Sequence, residues 1–157
     1  PARFTLVGTM NPEEGDLRPQ LLDRFGLCVH VEGLNTPEQR VEVVKRRAAF
    51  EADPQAFVGE WAEETEKMRA AVAKAIALCP SVRASDAILL GIAERSLALG
   101  VDGHRSDIVM LKAAKAIAAW AGRDEVAAED VEEAAQLALA HRMRRRPFED
   151  ILGPRAA

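Results

Sequence analysis

The sequence predicts a mainly α-helical chain, in which a short strand–helix–strand segment precedes a bundle of helices. Alanine, the residue with the strongest helix propensity, occurs 29 times among 157 residues. Five Phe, two Trp and no Tyr leave too few aromatic residues for a β-sandwich or barrel as the main architecture. Two short apolar runs near the N-terminus flank a helix with recognisable start and stop signals, which adds a small α/β piece to the helical prediction.

The strand–helix–strand segment occupies residues 1–34. Residues 4–10 form an apolar run that Asn11 follows, and residues 27–31 form a second run. Between them a helix is predicted over residues 19–25, because proline opens it and glycine follows it. Both runs are apolar on both faces, as in the interior of a parallel sheet.

Two strands alone cannot pair their outer edges or cover two apolar faces. No convincing strand follows residue 34, so we expect the other strands to lie N-terminal to Pro1, in a longer protein. The sequence then divides into the end of an α/β core (residues 1–34), a helical domain (35–148) and a flexible tail (149–157).

The helical domain begins with two clear start signals. Thr36 and Gln39 form a capping box around a proline at the first helical position. Asp53 and Pro54 then start a helix that is predicted to run to about Cys79. One face of that helix is expected to carry four apolar side chains, those of Phe57, Trp61, Met68 and Val72.

Three further helices complete the predicted bundle. Ser85 caps one that Gly100 closes. The next runs from about Ser106 to Ala121 and should be central, because it is apolar nearly all round. The last begins near Ala128, with acidic residues at its positive end and a basic cluster at its negative end, formed by His141, Arg142, Arg144, Arg145 and Arg146.

Charge and composition exclude several functions. A net charge of −4 argues against a nucleic-acid-binding protein, and no apolar run approaches the ~20 residues of a membrane helix. Cys28 and Cys79 cannot build a disulfide framework, so a reducing cytoplasm is predicted. Cys28 and His30 lack a second ligand pair at metal-binding spacing, so no metal site is expected.

One block of the sequence carries a family resemblance. Residues 8–27 read GTMNPEEGDLRPQLLDRFGL and closely resemble the segment from sensor 1 to the arginine finger in the AAA+ ATPase subunits of magnesium chelatase. The likeness continues to about residue 148, through residues 40–44, 52–54, 97–105 and 140–145. It implies a helical AAA+ lid preceded by the last strand–helix–strand piece of an αβα P-loop core.

The resemblance implies a role for each of five residues. Asn11 falls at sensor 1, which orients the attacking water or reads the γ-phosphate. Arg24 falls at the arginine finger, which reaches ATP on the neighbouring subunit, and Arg105 falls at sensor 2. Asp23 is expected to orient Arg24 or to pair across the subunit interface, and Arg18 to be a second interface cation. A guanidinium suits these roles because its fork matches phosphate oxygens.

Each of the three main residues also has a simpler interpretation. Asn11 alone is a common turn residue after a strand, and Arg24 alone is a common solvated charge. Arg105 could pair with Asp102 or Asp107 beside the helix start. The resemblance favours the functional interpretation in each case.

The sequence contains no G-x-x-x-x-G-K-[ST] loop and no apolar strand that ends in paired acids. ATP and Mg²⁺ should therefore be bound by the full-length parent, and this segment alone should be inactive. The family implies a homo-oligomeric ring, expected to be a hexamer, with a second AAA+ subunit and a large porphyrin-binding catalytic subunit.

In the family, ATP hydrolysis drives Mg²⁺ insertion into protoporphyrin IX during chlorophyll biosynthesis. The smaller motor subunit is favoured over the larger form, which continues into an integrin-like domain. Related ATPases also occur in organisms without chlorophyll. Another AAA+ remodelling ATPase with the same lid, or a non-enzymatic helical interaction module, therefore stays as an alternative.

Overall fold

The computed structural model describes residues 4–11, 13, 21, 24–101 and 104–139, and this part of the chain is helical. Six α-helices follow one another within it, namely α1 (Pro37–Ala52), α2 (Pro54–Glu60), α3 (Ala62–Leu78), α4 (Asp86–Ala98), α5 (Arg105–Trp120) and α6 (Ala128–Leu139). A 3-10 turn, Cys79–Ser81, follows α3. The predicted mainly helical fold class is confirmed. The predicted tail, residues 149–157, lies outside the described residues.

The two predicted strands are not formed. Residues 4–10 and 27–31 have no strand pairing, and the described part of the chain contains only one isolated bridge, between Arg83 and Glu125. Their apolar side chains are exposed, with Val7 at 85% and Val31 at 91%. A strand exists only by pairing with a neighbour, and the described residues provide none for either segment. Most of the helix predicted over residues 19–25 lies outside the described residues.

The predicted helix starts in the bundle are confirmed by their capping bonds. The Thr36 hydroxyl accepts a hydrogen bond from the Gln39 amide at 3.4 Å. The Asp53 carboxylate accepts from the Gln55 and Ala56 amides at 3.0 and 2.9 Å, and the Ser85 hydroxyl accepts from the Ile88 amide at 3.3 Å. The bonds are short-range and satisfy amides that the helix itself leaves unpaired, so they can be predicted from sequence.

The helix predicted from Asp53–Pro54 to Cys79 is instead divided at Trp61. On the N-terminal side of the division α2 lies against α1, where the Phe57 ring meets the Phe50 ring edge-on at 5.8 Å between centroids. Trp61 follows at 6.1 Å from Phe57, and the Arg46 guanidinium lies 4.6 Å from the Trp61 ring. The three rings and the guanidinium therefore form one cluster beside the division.

The division also separates the apolar face that was predicted for one long helix. Phe57 and Trp61 are half-buried in the α1–α2 contact. Met68 and Val72, on α3, are 57% and 41% exposed. The four side chains thus do not form one buried stripe.

The core lies between α5 and α6. The predicted central position of α5 is confirmed, because it contacts α3, α4 and α6. Most of the buried side chains on the two helices are small, which lets the backbones approach closely. Those at 0% exposure are Met110, Ala114 and Ala118 on α5, and Ala134 and Ala138 on α6.

An ion pair that was not predicted fixes the turn between α5 and α6. The Arg123 guanidinium donates two hydrogen bonds to the Asp130 carboxylate, at 2.8 and 2.5 Å. The Ala127 amide donates a third at 2.8 Å. The Asp130 side chain is 3% exposed. Arg123 chiefly, with help from the Ala127 amide, holds the pKa of Asp130 below its ordinary value, although burial opposes the shift.

A second contact joins this turn to the loop between α3 and α4. The Arg83 amide donates to the Asp124 carbonyl at 2.8 Å, and the Val126 amide donates to the Arg83 carbonyl at 3.0 Å. The neighbouring Val82 is 1% exposed. No helix in the described part is both long enough and apolar enough to cross a membrane.

Replacing Asp130 with Asn should lower the free energy of unfolding at neutral pH by about 1–3 kcal/mol, because the Arg123 guanidinium and the Ala127 amide lose a charged acceptor that is buried. The pKa of Asp130 is lowered by folding, so its contribution is present above the unfolded pKa and disappears as pH falls through the folded one. Urea unfolding from pH 7 to pH 2 should therefore show a flatter acid limb for D130N. The control is Glu132→Gln, which removes the exposed ion pair with Arg95. It should lower the free energy of unfolding clearly less than D130N does.

Two glycine substitutions should have opposite effects on thermal stability. Gly122 has φ +75°, so Gly122→Ala should destabilise the chain by about 1 kcal/mol. Gly91 lies inside α4, with no atom within 4 Å of an added Cβ. Gly91→Ala should stabilise by about 0.5–1 kcal/mol. Equal effects in calorimetry would contradict the turn geometry at Gly122.

Candidate functional site

The Asn11 side chain is exposed and participates in a local turn. Its Oδ1 accepts a hydrogen bond from the Glu13 amide at 3.3 Å. This contact suits the turn interpretation and leaves the amide nitrogen of Asn11 on the exposed surface. The sensor 1 role of Asn11 stays a prediction.

Arg24 begins a loop that packs against the bundle. Its own side chain is exposed, whereas Phe25 and Gly26 are half-buried. The Arg24 amide donates to the Leu21 carbonyl at 3.0 Å, which makes a turn. A Cβ on Gly8 would lie 3.7 Å from the Phe25 ring, so the segment before Asn11 lies against the residue after Arg24.

Two contacts attach this loop to α5 and α6. A Cβ on Gly26 would lie 3.6 Å from a methyl group of Val109, in the second turn of α5. The Cys28 amide donates to the Leu137 carbonyl at 2.9 Å, near the C-terminal end of α6. That carbonyl belongs to the last turn, where a helix leaves its own acceptors unpaired. The loop therefore closes the end of the bundle at which α5 begins and α6 ends.

Arg105 is the first residue of α5 and is exposed. It lies one helical turn before Val109, the residue that Gly26 touches. The structure thus brings the Arg24 loop and the Arg105 helix start to one end of the bundle. Asp23 and Arg18 lie outside the described residues, as does Asp102.

The electrostatics of this end favour an anion. The exposed Arg105 lies at the N-terminus of a 16-residue helix, which carries partial positive charge, and the loop that bears the exposed Arg24 packs on the second turn of that helix. Opposing them, Asp107 lies in the first turn with its Oδ2 3.7 Å from His104 Nδ1. The other oxygen of Asp107 is buried and accepts no hydrogen bond within the described part of the chain. Phosphate oxygens are the acceptors that such guanidinium groups bind best.

Nothing in the described segments gathers three His, Cys, Asp or Glu side chains into a metal-binding group. Sequence reasoning identified the arginines but not the contacts that position them. The sequence predicts Gly26 only as the residue that ends a helix. Nothing in the neighbouring sequence indicates its contact with Val109. The Cys28–Leu137 bond joins residues more than a hundred positions apart, so no spacing could have predicted it.

Comparison with known protein families identifies the class of domain in the C-terminal half of the chain. Residues 89–156 match the AAA lid domain family, so this region is an AAA lid domain. The match includes all of α5 and α6, and therefore Arg105 and Val109.

Comparison over the whole chain then gives close homologues. The chain is 53% identical to a magnesium-chelatase subunit ChlI homolog of Methanocaldococcus jannaschii, over 95% of this chain and 41% of that protein. It is 46% identical to the magnesium-chelatase 38 kDa subunit of Chlorobaculum tepidum, over 96% of this chain and 38% of that protein. An uncharacterized protein of Mycobacterium tuberculosis is 50% identical over 95% of this chain and 24% of that protein.

These matches confirm the resemblance to magnesium-chelatase AAA+ subunits. The chain is a homologue of those subunits over nearly its whole length. It spans about two fifths of the length of the two chelatase relatives and a quarter of the third.

Cys28→Pro tests whether the Arg24 loop is held on the bundle. Proline cannot donate the hydrogen bond to Leu137, which is worth about 1 kcal/mol, so the loop should open up to about fivefold more often. Tryptic cleavage after Arg24 should accelerate accordingly. The matched control is Val29→Pro, at a neighbouring exposed position, which should leave the cleavage rate unchanged. Equal rates in the two variants would mean that the bond does not hold the loop.

Proposed function

We propose that this chain is the sensor-and-lid part of an ATP-hydrolysing AAA+ motor subunit of the magnesium-chelatase type. The observation that carries the proposal is the packing of the Arg24 loop on the helix that begins at Arg105. This contact couples the predicted arginine finger to the lid, so that a movement of either one shifts the other. The homology over 95% of the chain supports the same assignment.

Arg24 acts on the nucleotide of a neighbouring subunit. Its side chain is exposed, whereas the next two residues of the loop are half-buried. Packing of these two residues therefore fixes the backbone that carries the charge. Phosphoryl transfer depends mainly on positioning and charge neutralisation, which is the task of such an arginine. Asp23 orients Arg24 or pairs across the interface, and Arg18 adds a second cation there.

Arg105 and Asn11 complete the set. Arg105 contributes a guanidinium at the positive end of α5, where an anionic phosphate is favoured. Asn11 orients the attacking water through its side-chain amide. ATP supplies the free energy of the cycle, and the residues that hold it together with Mg²⁺ belong to other parts of the parent.

The ring that this arrangement requires consists of copies of the parent, taken here as six. In the proposed cycle, the ring works with a second AAA+ subunit and a large porphyrin-binding subunit in the cytoplasm. Hydrolysis drives the insertion of Mg²⁺ into protoporphyrin IX, with the metal as substrate.

Arg24→Ala in the full-length protein should leave ATP binding nearly unchanged and reduce hydrolysis by a factor of about 10³ or more. Arg24→Lys should stay strongly impaired, because a single ammonium cannot replace the guanidinium fork. Arg69→Ala is the matched control, since Arg69 is an exposed arginine on α3 that pairs with its helix neighbour Glu66. ATP turnover should be measured for all three variants beside nucleotide affinity.

Unchanged turnover in Arg24→Ala would refute the finger assignment. Hydrolysis that requires Arg24 but does not respond to a porphyrin-binding partner would instead indicate another AAA+ remodelling ATPase. Binding of a partner protein without any hydrolysis in the wild type would indicate a non-enzymatic interaction module.

A further inference from the structure

A recess lies at the opposite end of the bundle from the Arg24 loop, where α5 ends and α6 begins. It is open to solvent and has a volume of about 510 Å³. Its apolar wall includes Ala116 and Trp120 of α5, and its rim includes Glu129 and Glu133 of α6. None of these residues takes part in the candidate site described above.

Trp120 is 54% exposed, although Ala118 and Ala119 beside it are buried. An indole in this position exposes a broad aromatic face to solvent at the end of a rigid helix. Large exposed aromatic residues beside a recess are typical of contact sites rather than of free surface.

The residues that line the recess carry a net negative charge, because Glu129, Asp130 and Glu133 outnumber Arg123, which also attracts Glu129. Arg123 lines the recess but is already bonded twice to the buried Asp130. In the part of the chain that the structure describes, neither Glu129 nor Glu133 forms an ion pair of 4.0 Å or less. Neither lysine of α5, Lys112 or Lys115, is among the residues that line the recess.

An arginine side chain fits this combination. Its planar guanidinium can stack on the Trp120 ring while its N–H groups bond the carboxylates of Glu129 and Glu133. Lysine would form the ion pairs but would not match the planar face as well.

The chain itself contains a segment of that chemistry. Residues 141–146 read HRMRRR, with four arginines in six positions. This segment follows the C-terminal end of α6, whereas Glu129 and Glu133 lie in its first half. Glu129 and Glu133 therefore lie near the N-terminal end of this 12-residue helix, which is about 18 Å long, and the arginine segment follows its other end in the sequence.

We propose that the Trp120 recess binds the arginine segment 142–146 of a second copy of this chain. A contact between two different surfaces of identical chains is heterologous, and it can continue from copy to copy. The proposal rests on the recess and the charge of the segment, and it does not depend on the ATPase assignment.

Sedimentation equilibrium of the 157-residue chain tests the contact. The wild type should self-associate, and less so as salt rises from about 0.05 M to about 0.5 M, because the pairs are exposed. The acid-deficient variant E129Q/E133Q and the arginine-deficient variant R144Q/R145Q/R146Q should each associate at least about fivefold more weakly. The matched control E94Q/E132Q removes two exposed carboxylates outside the recess and should behave like the wild type.

Mixing the two deficient variants distinguishes the occupants. Each variant retains one half of the contact, so the mixture should form pairs that stop at two copies. A wild type that stays monomeric at millimolar concentration would overturn the proposal, as would a control as impaired as the acid-deficient variant. If both variants lose self-association and their mixture does not regain it, the proposal would also be overturned. That result would point to the segment folding back within its own copy.

Tryptophan fluorescence provides a second readout that does not require association. In Trp61→Phe the emission comes from Trp120 alone, and a peptide of residues 140–147 should shift it. The peptide with its arginines replaced by glutamine should have no effect, nor should the native peptide on the acid-deficient variant. An unshifted emission with saturating native peptide would overturn the proposal.

Discussion

The close packing of α5 against α6 is the constraint on which the rest of the structure depends. Ala114 and Ala118 face Ala134 and Ala138 across this contact, and all four are fully buried. An alanine buries little apolar area. The α5–α6 pair is therefore stabilised by many short-range contacts between closely spaced backbones rather than by large side chains. The turn between the helices must then be fixed separately. The Arg123–Asp130 pair fixes this turn, and its Asp130 carboxylate is a charged group buried in the described core.

The rigid α5–α6 pair separates two ends of different chemistry. At one end the Arg24 loop lies on α5 and α6, beside the exposed Arg105, and the charge is positive. At the other end Trp120 lies beside carboxylates. The 16 residues of α5 separate them by about 24 Å. A helix pair packed this tightly moves as one body, so a displacement at the first end would be transmitted to the second.

The sequence predicted those elements whose cause is local. Thr36, Asp53 and Ser85 cap the helices that were expected to start there, because each cap bonds amides within three residues of itself. The division at Trp61 was not predicted, because no local capping signal marks it: the Trp61 side chain makes no capping hydrogen bond to α3. The expected strands 4–10 and 27–31 are not formed, because each lacks a pairing partner in the described part of the chain. A strand depends on a partner that its own sequence does not contain, whereas a helix satisfies its backbone internally.

The same division applies to function. The sequence by itself determined the residue types at the candidate site, the AAA+ resemblance that homology then confirmed, and a central apolar helix from about Ser106 to Ala121. Only the tertiary structure decided that the Arg24 loop lies on α5, through Gly26 against Val109 and the Cys28 bond to α6. It also decided that Asp130 is a buried ion-pair partner rather than a helix-end charge. Residue types and local capping follow from neighbours along the chain, whereas these contacts join distant positions and exist only once the helices have packed.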